Sequence, residues 1–243
     1  SCATASLDDA TNNVGVGTNA FLLLTQGDSN VAVGTAAMAS TTTTSFCTAI
    51  GASALYASTG NYNTAVGANA GEKITSGTKN THVGVTAGYG NSTSWQTGDD
   101  NTTLGYQAGY SLITSAHSNT FIGSQSGAVT ANSGFENTCL GFNTEIEDAT
   151  ADNQIVIGNN LTGTKDDAIF IGNDSSHIEN DYNADATWNH SSDVRQKTDI
   201  KDESLGLSFV EDLRPVTYKH KSPSEFPQEW DAYDAGDKEP MGG

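Results

Sequence analysis

Positive charge is scarce in this chain. Ten of 243 residues are Lys or Arg against 29 Asp or Glu, and the formal net charge is −19. Residues 1–190 hold 17 acidic and 3 basic side chains, net −14, and residues 191–243 hold 12 and 7, net −5. With no basic stripe to meet phosphates, nucleic acid is excluded as a partner. Such an acidic balance serves solubility first. Aromatic residues make up only 8%, and large apolar residues are too few for an ordinary globule of this length. No run approaches the roughly 18 apolar residues of a membrane helix; Phe21-Leu22-Leu23-Leu24 is far too short. Residues 1–20 have no basic start and do not read as a signal peptide. The chain opens in mid-pattern, as a fragment or a processed product would.

Cysteine is sparse as well. Cys2, Cys47 and Cys139 fit neither a zinc motif nor a disulfide framework. Cys47 and Cys139 lie more than five repeats apart, so they read as free thiols. The five histidines (His82, His117, His177, His190, His220) have no metal-like spacing and read as surface residues. Glu145, Glu147 and Asp148 are the densest acidic group, but no Ca²⁺-loop pattern accompanies them, so no metal or cofactor is expected.

What the chain does contain is a repeat. Asn63-Thr64-Ala65-Val66-Gly67 returns as Asn30–Gly34, Asn80–Gly84, Asn101–Gly105, Asn119–Gly123 and Asn137–Gly141, with weaker copies ending at Gly17, Gly51, Gly158 and Gly172. Successive glycines are 17, 17, 16, 17, 21, 18, 18, 17 and 14 residues apart. A near-constant period over most of a chain is the mark of a solenoid or fibre.

The residue before each glycine is Val, Leu or Ile, and Thr or Val stands two residues earlier in most copies. Residues two apart share a face of a strand. The pattern therefore predicts a short strand whose Val, Leu and Ile face inward. The varied position between them (Ala65, His82, Thr103, Phe121, Cys139) is expected to face outward. The glycine marks a bend that needs positive φ or has no room for a side chain. Three residues on comes a small residue, Ala20, Ala37, Ala54, Ala70, Ala87, Ala108 or Ser126, which implies a narrow interior or a close chain approach. A second turn signal follows at Thr59-Gly60, Ser76-Gly77, Thr97-Gly98 and Ser133-Gly134. About seventeen residues thus hold two strands and two turns, one coil of a β-roll. Stacked coils would align the recurrent asparagines, either as a hydrogen-bonded ladder or as separate turn formers.

The predicted fold is all-β: a parallel β-solenoid, or β-roll, over residues 12–172. It follows a lead-in at 1–11 and precedes a polar connector at 173–190 and a distinct α+β segment at 191–243. The long interval between Gly84 and Gly105 holds an extra stretch, Gly90–Gly98, with Trp95 near its end. Loops that bulge from a solenoid commonly carry ligand contacts, so Trp95 is a candidate sugar-stacking residue; packing against a neighbouring chain is the alternative. In the terminal segment, Leu205, Phe209 and Leu213 have helical spacing, Pro215 would stop the helix, and Val216–Lys219 reads as a strand.

The repeats resemble the β-roll head of trimeric autotransporter adhesins. They also resemble the N-T-x-[VIL]-G-x-x-A-G repeats of phage and viral tail-fibre-like proteins, which Asn101–Gly109 (NTTLGYQAG) fits closely. Ser192-Asp193-Val194-Arg195-Gln196-Lys197-Thr198-Asp199-Ile200, followed by Leu213-Arg214-Pro215-Val216-Thr217-Tyr218, resembles the start of the endosialidase-type intramolecular chaperone domain, with its S-D-x-R-x-K-x-x-I and L-x-P-V-x-Y signatures. That resemblance implies a homotrimeric fibre whose terminal domain assembles three chains and releases itself by Ser–Lys autocleavage, with Ser192 as nucleophile and Lys197 as base. Surface ion pairs among Asp193, Arg195 and Lys197 are the alternative. The family's domain extends beyond the equivalent of Gly243, which leaves open a truncated domain, an uncleaved one or a precursor.

The implied role is a structural and adhesive fibre on a virion or an extracellular surface. Its partners would be its own copies, other particle proteins, and a host-surface receptor or glycan. A polysaccharide-degrading spike is a rival reading, with Asp99/Asp100 and Glu145/Glu147 as its candidate carboxylates. A cell-surface adhesin head of the autotransporter kind is another.

Overall fold

The computed structural model describes residues 9–90, 95–112, 115–128, 133–183, 189–190, 221–225 and 228. Ten short strands stack in chain order: β1 (Val14–Val16), β2 (Val31–Val33), β3 (Thr48–Ile50), β4 (Thr64–Val66), β5 (Thr81–Val83), β6 (Thr102–Leu104), β7 (Thr120–Ile122), β8 (Thr138–Phe142), β9 (Gln154–Asn159) and β10 (Ala168–Asn173). Every neighbouring pair among them is parallel. The register is that of the repeat, for example Thr64↔Thr81, Ala65↔His82 and Val66↔Val83. Each period is therefore one coil of a parallel β-solenoid. At the usual strand spacing, β1 to β10 spans about 43 Å.

Two further strands reverse direction. β11 (Ser176–Asp181) runs antiparallel on β10, and β12 (Asn189–His190) antiparallel on β11. They cover an edge of β10 that would otherwise expose unpaired backbone groups. Lys165 ties this end together, with Nζ 2.8 Å from Glu179 and 3.2 Å from Asp181. Residues 1–192 form one compact unit and 193–243 another. Of the second, the described part is a single 3₁₀ turn, Pro223–Glu225, whose Glu225 carboxylate accepts from the Ser222 backbone N–H. Among the described residues no helix is long and apolar enough to cross a membrane.

The strand phase is the reverse of the sequence expectation. The varied central residues Ala32, Ala49, Ala65, His82, Thr103, Phe121 and Cys139 are all fully buried. The flanking Thr, Val, Leu and Ile point outward, with Val16 55%, Ile50 41%, Leu104 47% and Leu140 43% exposed. In six coils the interior compensates its own volume, while in the coil of Ala65 the corresponding Gly71 is bordered by Ile74, Leu55 and His82. The fourth residue past the glycine also points in. It is Phe21, Met38 or Leu55 where the strand centre is Gly15, Ala32 or Ala49, and Gly88, Gly109 or Gly127 where the centre is His82, Thr103 or Phe121. A Cβ on Gly127 would lie 2.4 Å from Cγ of Phe121, and one on Gly88 2.5 Å from Cγ of His82. The ring and the missing side chain exchange places.

The expected second strand per coil is reduced to isolated bridges, such as Ile74 with Gln96, and the remaining length is turns. The repeat glycine behaves as the sequence implied. Gly67 has φ +135°, and a Cβ there would lie 2.4 Å from the Gly84 carbonyl oxygen. The recurrent asparagines form the ladder. Asn63 Oδ1 accepts from the Asn80 backbone N–H at 2.9 Å, and Asn63 Nδ2 donates to the Gly77 carbonyl at 2.7 Å. Asn80 repeats both contacts with Asn101 and Gly98, and Asn30, Asn63, Asn80, Asn101, Asn119 and Asn137 are fully buried. Cys47 interrupts the ladder: its N–H donates to Asn30 Oδ1, and its sulfur accepts from Asn63 N–H at 3.3 Å. Left-handed backbone falls on the residue before the asparagine, as at Phe46 (φ 59°), Tyr62 (φ 62°) and Lys79 (φ 57°).

Asn80→Ala would strand the Gly98 carbonyl and the Asn101 N–H inside the roll. Loss of about 3 kcal/mol or more is expected in urea denaturation. Thr81→Ala on the outward face should change stability by less than about 0.5 kcal/mol in the isolated chain.

Candidate functional site

Two surfaces stand out. The first is the outward face of β1–β10. The twenty outward positions that flank the ten strand centres hold only Val, Ile, Leu and Thr. Val14/Val16 and Val31/Val33 lie at one end, Ile155/Ile157 and Ile169/Ile171 at the other, and six coils with Thr beside Val, Ile or Leu between them. No charged residue enters this stripe in a chain of net charge −19. Parallel sheets are ordinarily covered on both faces, and a contiguous apolar patch above a few hundred Å² marks an interaction surface.

The second surface surrounds Trp95, which is 49% exposed. The chain re-enters the roll beside it: Gln96 N–H donates to the Lys73 carbonyl at 3.0 Å, and Lys73 N–H to the Tyr89 carbonyl at 3.1 Å. This places the Lys73 ammonium 5.1 Å from the Trp95 ring centroid and 6.0 Å from that of Tyr89. Tyr89 stacks on Tyr110 of the next coil at 5.2 Å and 7°. Glu72 lies 3.3 Å from Lys73 Nζ and balances its charge. Contacts of this type contribute about 0.5–1 kcal/mol each at exposed sites and hold the indole in a fixed setting. Lys73, Tyr89 and Tyr110 were not singled out from the sequence. The available signal was a recurring Tyr five residues past the glycine, at Tyr56, Tyr89 and Tyr110.

Of the candidate carboxylates, that of Asp99 is engaged in a turn. Asp99 Oδ1 accepts from the Thr78 N–H at 2.6 Å and the Thr78 hydroxyl at 2.9 Å, and Asp100 occupies a left-handed corner with φ 58°. Asp148 accepts from Thr150, which holds its carboxyl below the usual range. Glu147 contributes its backbone N–H to Gln154 Oε1 at 3.2 Å. Among the described residues no three His, Cys, Asp or Glu side chains are grouped to hold a metal. Ser192 and Lys197 lie outside the described residues, as do Leu205–Leu213 and Val216–Lys219.

The interior contains titratable groups that the sequence reading had placed elsewhere. His82 is buried, not on the surface as expected, and its Nδ1 is 2.8 Å from the Thr103 hydroxyl. Burial pushes its pKa down to about 3. Cys47 and Cys139 are free, as expected, and both are buried, although Cys139 stands at a position expected to face outward. Burial raises both, Cys47 to about 11. Compared with protein-family models, with curated proteins and with solved structures, the chain matches none.

Two measurements follow from these groups. The folded protein holds His82 neutral while the unfolded chain protonates near pH 6.5. The His82 contribution is therefore full above pH 6.5 and is lost as pH falls towards about 3, by about 1.4 kcal/mol per pH unit. His82→Phe should flatten that part of the stability profile. In a Cys2→Ser background, a thiol-reactive dye at pH 8 should label neither Cys47 nor Cys139 until the roll unfolds.

Proposed function

We propose that this chain is a structural fibre protein that associates with copies of itself through the outward stripe of β1–β10 and presents the Trp95 corner to a surface receptor or glycan. The observation that carries the reading is the charge-free aliphatic stripe repeated through all ten parallel strands. A second copy fits it better than an unrelated partner. Only a chain with the same coil spacing brings its own rows of Val, Ile and Leu into step along the whole length. The number three comes from the resemblance of the repeats and of the terminal motif to trimeric fibres. In that arrangement the stripes meet at the common axis and the Trp95 corners face away from it. Linked copies would multiply weak contacts to a surface bearing many receptors. A virion or extracellular location, and release by Ser192 with Lys197, belong to the same proposal.

Light scattering tests it. A native mass three times the 25.2 kDa chain is expected, and Val66→Lys with Leu104→Lys should leave a folded monomer. A wild-type monomer would overturn self-association. If the terminal segment cleaves, Ser192→Ala should lengthen the denatured chain by the released piece. On glycan arrays, Trp95→Ala should weaken any glycan signal of the wild type at least tenfold with the native mass unchanged.

A further inference from the structure

The interior of the roll is not one continuous apolar core. A first cluster runs from Ala20, Phe21 and Leu24 to Ala70 and Ile74. A second runs from Leu112 and Phe121 to Leu161 and Phe170. Between Ile74 and Leu112, the only buried apolar side chains among the described residues are Ala87 and Ala108. Besides Asn80 and Asn101 of the ladder and Ser111, the buried polar groups described there are His82, Gln96 and Thr103, all three fully buried.

These groups are not satisfied by protein. Thr103 meets His82 Nδ1, but His82 Nε2 has no partner, and neither do Oε1 and Nε2 of Gln96. Buried polar atoms are almost always hydrogen-bonded, to protein or to ordered water, because an orphan forfeits its hydration. His82 and Gln96 share one coil. Gln96 stands in the column of Ile74, its bridge partner in the preceding coil. A Cβ built on Gly71 lies 2.9 Å from Ile74 Cδ1 and 3.2 Å from His82 Cδ2, so that column borders the imidazole. Gly88 repeats the place of Gly71 one coil on, against the His82 ring itself. One coil thus offers three unpartnered buried atoms, and a buried water needs two to four polar partners.

We infer that the coil from Asn80 to Asn101 holds internal water between the His82 imidazole and the Gln96 amide, and that this hydrated coil divides the roll into two units that unfold separately. Whichever ring nitrogen carries the proton, water can complete Nε2, since it both donates and accepts. The division follows from the nearest-neighbour character of solenoids, in which cooperativity passes only through each coil–coil interface. Across this coil the backbone pairing of β5 with β6 and the Asn80–Asn101 contact persist, while apolar packing is interrupted.

The test uses the full chain and hydrogen exchange at increasing urea. Amides of β2–β4 and of β7–β9 should lose protection at two different urea concentrations. Other coils of the chain supply the apolar replacements. Phe121 occupies the place of His82 with Gly127 in the role of Gly88, and Leu112 lies in the column of Gln96. The triple variant His82→Phe, Gln96→Leu, Thr103→Val should merge the two transitions into one at higher urea. One shared transition in the wild-type protein, or two that persist in the folded variant, would overturn the division. A crystal structure of the wild-type protein at about 1.5 Å decides the site independently of the variant. Water density within 3.2 Å of His82 Nε2 is expected, and a direct Gln96–His82 hydrogen bond with no water would overturn it.

Discussion

Everything in this roll depends on backbone groups of one coil pairing with the same groups of the next. A strand of three residues cannot stand alone, and a coil of seventeen buries almost nothing by itself. Stability comes from repetition, and repetition requires that nothing intrude at the contact points. Gly67 against Gly84 shows the constraint most plainly, because the carbonyl of one glycine fills the space where a Cβ of the other would stand. The asparagine ladder meets the second requirement. At the corner where the chain turns back into the strand, a carbonyl and an N–H would be buried without partners. One amide side chain satisfies both.

The sequence showed the period, the strands and the glycine bend, because those positions tolerate few residues and so recur visibly. It pointed to the asparagine ladder without deciding it. The strand phase was misread for a physical reason. Constant apolar residues were assigned to the core and varied ones to the surface, which holds for most sheets. Here the buried centre varies, for example from Ala49 to Phe121, while the residue four past the glycine varies the other way, from Leu55 to Gly127. That exchange is legible only once the two columns are known to face each other. Trp95 was legible as an odd residue in an over-long interval. The lysine and tyrosines that hold it come from three different coils, and no local pattern connects them.

The polar coil has a different logic. His82, Gln96 and Thr103 coincide with the 21-residue interval, the one place where the period is stretched. Gln96, which directly follows Trp95, is back in register with Ile74 of the preceding coil. The segment that breaks the apolar interior is thus the one that sets the Trp95 corner. A coil of stretched length gives up regular packing, and polar side chains, with the water inferred beside them, would adapt to an irregular space more readily than a jigsaw of aliphatic groups.

The outward stripe poses the opposite problem, too much regularity. Among the described residues Leu104 and Leu140 stay 47% and 43% exposed, so the fold by itself would accept Lys, Glu or Ser there. Exposed strand positions on a soluble surface ordinarily alternate towards polar residues. Ten coils nevertheless restrict the position before the glycine to Val, Leu or Ile, while their buried centres range from Gly15 to Phe170. Under the proposed self-association, a restriction tighter outside than inside would have its source beyond the single chain. Drift in the spacing argues the same way. The interval between glycines ranges from 14 to 21, yet the register of the stripe is unbroken from β1 to β10. The roll keeps straight the one face that a copy of itself would need to match, rung against rung.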